Sequence, residues 1–180
     1  MEITQRELSA AYRKAGASAL NKVAAKARTE AVRAITDRYN VKASDVRKMV
    51  EIQSATANKL EALIVVRHTK RMPYIKFPAK QLQSGTVVRV RSDRSTIVRH
   101  AFIQTMQSGH KGVFIRKGEK RRMTRGASVG KMRQPIVEMA GPRISTMYKT
   151  SGAIDRVKET GKKLYEVLKH ELQFRLNRGA

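Results

Sequence analysis

From Gln5 to about Tyr39 the chain has no proline, and Leu8, Tyr12, Ala15, Ala19, Val23, Ala27, Ala31 and Ile35 recur at steps of three and four. That spacing lays them along one side of an α-helix, and the small residues among them permit close packing. Thr4 followed by Glu7 has the form of a capping box, and Ile3 with Leu8 that of a hydrophobic staple, so the helix is expected to begin at Gln5. Gly16 costs about 1 kcal/mol relative to alanine inside a helix and is a candidate bend. At 1.5 Å per residue the element spans roughly 50 Å. A globule of 180 residues does not need a helix of that length. Ala15, Ala19, Val23, Ala27 and Ala31 are therefore candidates for contact with another subunit.

Beyond this helix the periodicity changes. Ser44-Asp45 is a second helix start, with a hydroxyl to cap and a carboxylate at the positive end of the dipole, and that helix is expected to end near Val50. Ile52 to Ala57 and Leu60 to Arg67 read as a strand pair around Asn58-Lys59, before Pro73 and Pro78 interrupt regular structure. Thr86 to Arg91 suits a strand with one basic face carrying Arg89 and Arg91. Ile97 to Met106 and Gly112 to Lys117 are expected to pair across Ser108-Gly109-His110-Lys111, where the glycines permit positive φ.

Residues 118–133 combine basic side chains with Gly126 and Gly130 and few apolar residues, the pattern of a flexible basic loop. Pro142 after Gly141 suits the first position of a helix. Ile154, Val157, Gly161, Leu164, Leu168 and Leu172 then resume helical spacing. The expected class is α+β, with a long N-terminal helix and a C-terminal helix flanking a central antiparallel sheet. Hydrophobic residues make up 41% of the chain, enough for one modest core, so residues 1–180 are expected to form a single domain.

Lysine and arginine number 39 against 14 acidic residues, a formal charge of +25. The excess occurs in the first helix, the middle strands, the loop after Gly118 and the final helix, and points to a polyanionic partner, either DNA or an acidic protein. Arg89, Arg91, Lys117, Lys120, Arg121, Arg122 and Arg125 are the candidate contacts. Aromatic residues are only 5% of the chain, too few to supply a base-stacking platform. Phe102 and Phe114 lie within apolar strand runs, which favours core packing over stacking on bases.

The absence of cysteine removes disulfides, thiol nucleophiles and cysteine-based zinc sites. His68, His100, His110 and His170 lack metal-ligand spacing, and His170 and Glu171, being adjacent, do not share a helix face. The acids sit among lysines and arginines, which lowers carboxylate pKa values and makes none of them a general acid. Gly109-His110-Lys111-Gly112 lacks the order of a phosphate loop and precedes a strand. No catalytic, cofactor or metal site is expected. With no secretory signal and no apolar run of membrane length, a soluble, cytoplasmically made protein is expected.

Several segments form a spaced series along the chain: Ala19 to Ala24, Val41 to Lys48, His100-Ala101-Phe102-Ile103, Ser108 to Arg116, Gln134-Pro135-Ile136, Gly141-Pro142-Arg143-Ile144 and the amphipathic end from Leu164 to Leu176. In order and spacing they resemble the minor tail protein Z family of tailed bacteriophages. The shared pattern falls on Ala101, Phe102, Ile103, Gly112, Val113, Phe114, Arg116, Pro135, Ile136 and Pro142, mostly in architectural roles.

The resemblance implies a tail completion protein in the virion, at the head-proximal neck or collar of a contractile or noncontractile tail, acting by assembly. It further implies a homo-oligomer, a hexameric ring following tail symmetry, beside tail terminator, tube or connector proteins. Genomic double-stranded DNA would be met non-specifically in the lumen, and no membrane is involved. A free-standing basic nucleic-acid-binding protein, ribosomal or nucleoid, would explain the charge but not the ordered resemblance.

Overall fold

The computed structural model describes residues 5–67, 71–124, 126 and 128–178. Ile3 and Thr4, on which the expected staple and capping box rest, lie outside these residues, as do His68 and Arg125. The class is α+β, as expected, with its strands in several short antiparallel ladders. The chain divides into two compact units, each assembled from segments distant in sequence.

The first unit comprises Met1–Asp37, Ala43–His68 and Ile144–Ala180. Its long helix α1 covers Gln5–Arg38. Gly16 does not interrupt it; a Cβ there would meet the Leu60 side chain at 3.4 Å, an ordinary contact. Ala15, Ala19, Ala27, Ala31 and Ile35 are buried, and so are Ala17, Ala24, Val32 and Ala34. The buried surface is wider than one stripe because each four-residue step overshoots a full turn by about 40°, carrying the row around the helix. Ala31 and Ala34 close against Ala153, with Tyr148 and Val157 packed beside them.

Two polar clamps fix α1. Asn21 donates to the Ala55 carbonyl at 3.0 Å and accepts from the Ala55 N–H at 2.8 Å. Arg28 donates to the Arg47 carbonyl at 3.0 Å, satisfying the end of the short helix α2, Ala43–Arg47. Strands β1, Val50–Gln53, and β2, Leu63–Val66, then pair antiparallel; β2 lies within the expected second run, whereas β1 begins two residues before the expected first run and ends at Gln53. The C-terminal region forms three helices: α3, Ile144–Thr150, ahead of the expected apolar spacing, and α4, Ala153–Gly161, and α5, Leu164–Arg178, which divide that spacing between them. Gly152, at φ 76°, separates the first two.

The second unit comprises Arg38–Lys42 and Thr69–Arg143. Strand β3, Arg71–Pro73, leads into a 3₁₀ turn at Tyr74–Lys76. Then β4, Ala79–Leu82, β5, Gly85–Val88, and β6, Thr96–Arg99, make a three-stranded antiparallel sheet in the order β4-β5-β6. A second sheet holds β7, Ala101–Thr105, β8, Lys111–Arg116, and β11, Ile136–Glu138, in the order β11-β8-β7. Between β8 and β11, β9, Arg121–Arg122, pairs with β10, Met132–Arg133. Strand β12, Ala140–Arg143, returns to pair with β3.

Three sequence expectations are corrected here. The run from Ile97 to Met106 is two strands in different sheets, divided at His100, whose φ of 58° turns the chain. The run from Thr86 to Arg91 leaves the regular ladder after Val88: Arg89 N–H still reaches the Pro78 carbonyl, and Arg91 makes only an isolated bridge with Tyr39, so Arg89 and Arg91 do not form the basic face of a strand. Pro142 lies in β12, where the ladder with β3 is irregular between Ala140 and Arg143, and helix α3 starts later, at Ile144. A residue without an N–H suits such an irregular ladder. A Cβ at the preceding Gly141 would approach Phe77 and Tyr74 to 3.2 Å.

Candidate basic groove

The β11-β8-β7 register sets one face of this sheet. Phe102 lies opposite Phe114, which lies opposite Glu138; Gln104 pairs with Gly112, and Arg116 with Ile136. Directly opposed residues project on the same side, so all seven share a face. The Phe102 and Phe114 ring centroids are 6.2 Å apart and tilted by 36°. Arg116 places its guanidinium 5.4 Å from the Phe102 ring centroid, within cation–π reach. At the other end His110 meets the Phe114 ring edge-on and its Nε2 lies 3.0 Å from Glu138 Oε1. The opposite face is apolar, with Ala101 and Val113 buried and Ile103 and Ile115 half-buried.

Gly112 is explained by this face. Its φ is not positive, whereas Gly109 in the turn has φ 79°. A Cβ at Gly112 would lie 2.7 Å from Phe114 Cζ and 2.9 Å from Glu138 Oε1, so the ring occupies the space a side chain would need. The expectation of positive φ holds for Gly109 and is corrected for Gly112.

Residues 118–133, expected as a flexible loop, contain ordered pairing among the described residues. Arg121 and Arg122 pair with Arg133 and Met132, and the ladder extends where Met123 N–H donates to Lys131 O and Gly130 N–H to Met123 O. Its base is closed by Lys117 N–H on the Pro135 carbonyl at 2.9 Å and by the Gln134 amide on Gly118 O at 3.2 Å. Pro135 contributes only a carbonyl there, so its missing N–H costs nothing.

Between this hairpin and the sheet face lies a groove of about 630 Å³. Phe102, Arg116 and Ile136 line it from the sheet, Met123 and Arg133 from the hairpin, and the turn from Thr105 to Ser108 closes one end. Among the described residues, no carboxylate lines it. Residues 111–133 hold nine lysines and arginines against the single acid Glu119. Among the described residues, no ion pair joins Arg116, Lys117, Lys120, Arg121, Arg122, Lys131 or Arg133 to a carboxylate.

The other predicted site residues lie elsewhere. Arg89 donates to Ser92 O at 2.7 Å, and Asn40 donates to the carbonyls of Arg89 and Arg91. Arg91 Nε is 3.5 Å from Asp93 Oδ1 without making a hydrogen bond. Neither arginine reaches the groove. Ala15, Ala19, Ala27 and Ala31 are enclosed within the single chain and Val23 is half-buried, so in this fold the four alanines present no surface to another subunit.

Sequence reading missed Met123, Arg133 and Gln134. The available signal was the pair Met123 and Met132, two apolar residues inside a basic segment. It also missed what Glu171 does: the residue is 4% exposed, and its carboxylate accepts from Lys22 and from Ser18. Those hydrogen bonds hold its pKa below the ordinary carboxylate value, as the surrounding cations predict. Glu159, bonded to Lys162, is lowered as well.

Comparison with known proteins gives one match. The family model for prophage minor tail protein Z (GPZ) matches residues 4–178. No curated protein matches the chain, and no solved structure does. No helix among the described residues is long and apolar enough to cross a membrane.

Proposed function

The chain belongs to the prophage minor tail protein Z family over nearly its whole length, and from that premise we propose that it completes the tail at its head-proximal end. Membership makes it a structural component of the phage tail, and so of the virion. The finer reading is an oligomeric ring, hexameric like the tail, seated between tube or terminator subunits and the connector, around the path of the DNA.

The observation that carries the reading is the family match; the distribution of charge supports it. Copies of a chain with formal charge +25 repel one another unless a polyanion lies close by. The cations of residues 111–133, left without carboxylate partners among the described residues, are where that polyanion is met, whether DNA in the lumen or an acidic neighbouring ring. Contacts between copies fall on exposed helix positions such as Tyr12 and Tyr165, since the alanines of α1 are already enclosed.

The test is a prophage carrying a null allele of this chain. Heads and tails of normal length should accumulate unjoined, and the wild-type chain supplied in trans should restore joining. Infectious particles formed without it, or a complete absence of tails, would refute a completion role.

A further inference from the structure

We propose that the groove between the β9–β10 hairpin and the β11-β8-β7 sheet is a docking site for an acidic, extended segment of a neighbouring tail protein. An apolar side chain of that segment rests on Phe102 and Ile136, and its carboxylates meet Arg116 and Arg133. This rests on the tail assignment above and adds to it a site and a partner chemistry.

Charge complementarity is the first argument. Both arginines line the groove, and among the described residues no carboxylate lines it and neither arginine is ion-paired. Arg116 is already braced on the Phe102 ring, so less side-chain freedom is lost when its planar donors engage a carboxylate. The floor is the second argument. Phe102 is half-buried, Ile136 is 40% exposed, and Met123 faces them across the groove. A phosphate backbone has nothing apolar to place on such a floor, whereas an amphipathic peptide does.

Size is the third argument. About 630 Å³ is the volume of a site that takes a few side chains. A duplex presents its charge as a long line of phosphates over a surface, and does not insert into a groove of that size. Lys117, Lys120, Arg121 and Arg122 do not line the groove, which leaves them free for other anionic contacts.

The experiment places the photo-crosslinker p-benzoylphenylalanine at Gln104, an exposed groove residue, in the full chain within prophage-derived particles. Irradiation should give an adduct with an Asp/Glu-rich segment of a different tail protein, identified by mass spectrometry. The adduct should fall about tenfold when Arg116→Gln and Arg133→Gln are combined, the size expected for losing charge-assisted hydrogen bonds. Hydrogen exchange in β7 and β8 should be unchanged in that variant. If the variant is not incorporated, the wild-type adduct still identifies the partner.

An adduct on DNA, an adduct on another copy of this chain, no adduct although the protein is present, or an adduct indifferent to the two arginines would overturn the proposal. Absence of the chain from purified tails would instead overturn the tail assignment, and the docking partner with it.

Discussion

Gly112→Ala should destabilise the β11-β8-β7 sheet although it adds only a methyl group and needs no change of backbone conformation. The new Cβ would lie 2.7 Å from Phe114 Cζ, 2.9 Å from Phe114 Cε2 and 2.9 Å from Glu138 Oε1. Those separations are shorter than carbon contacts allow, so the ring or the strand must move. Phe114 is 5% exposed and held between Phe102 and His110, which leaves the ring little room to retreat. Forcing a methyl group into such packing costs about 1–3 kcal/mol. Replacing glycine in a strand returns roughly 0.5–1 kcal/mol of backbone entropy. The difference spans about 0–2.5 kcal/mol, and because the ring has little room to retreat the expected loss lies in its upper half, about 1–2.5 kcal/mol.

Hydrogen exchange should report this as faster exchange in β7, β8 and β11 and unchanged exchange in α1. Phe114→Leu in the same chain should relieve the clash, making the double variant more stable than the sum of the singles by about 1 kcal/mol. A Gly112→Ala chain as stable as wild type, or strictly additive effects, would mean that the ring does not require the glycine.

Phe114→Ala should cost about 3–5 kcal/mol in chemical denaturation, because the ring is buried, and Phe102→Ala should cost less, because that ring is only half-buried. Glu171 has a lowered pKa in the folded chain, so its contribution to stability is present above the ordinary carboxylate range and lost as pH falls through the folded value. Glu171→Gln should therefore lower stability by about 1–3 kcal/mol at neutral pH, with the difference from wild type shrinking in acid-titrated melts. Replacing Arg121, Arg122 and Arg125 together by glutamine should leave the melting temperature unchanged, since Arg121 and Arg122 are exposed. If DNA is the polyanion, binding to assembled protein should weaken for all sequences alike, with a shallower dependence on salt. If an acidic ring is the partner, head joining should fall while DNA binding stays the same.

What the sequence determined by itself was local or chain-wide. The extent of α1 to its end at Arg38 followed from an uninterrupted helical period, the α+β class from the change of period after it, and the strongly basic charge from composition alone. These are legible because neighbours three or four residues apart interact whatever the rest of the chain does, and because net charge does not depend on folding. The ordered segments also pointed correctly to the family.

Tertiary structure decided the rest. Nothing near His100 announces that one apolar run will divide between two sheets. That division depends on β5 accepting β6 as its partner while β8 accepts β7. Pro142 reads locally as a helix start and became part of an irregular ladder because β3, some seventy residues earlier, pairs with Ala140 and Arg143 on either side of it. Gly112 looks like a turn glycine until Phe114 and Glu138 are seen to fill the space above it. Glu171 looks like a surface acid until Lys22, 149 residues away, is brought to it. The groove exists only because a basic hairpin folds over the sheet face that holds Phe102 and Arg116. Each of these features is a pairing between segments far apart in the chain. A pairing of that kind leaves no periodic trace in either segment, because its energy comes from a partner that only the folded chain supplies.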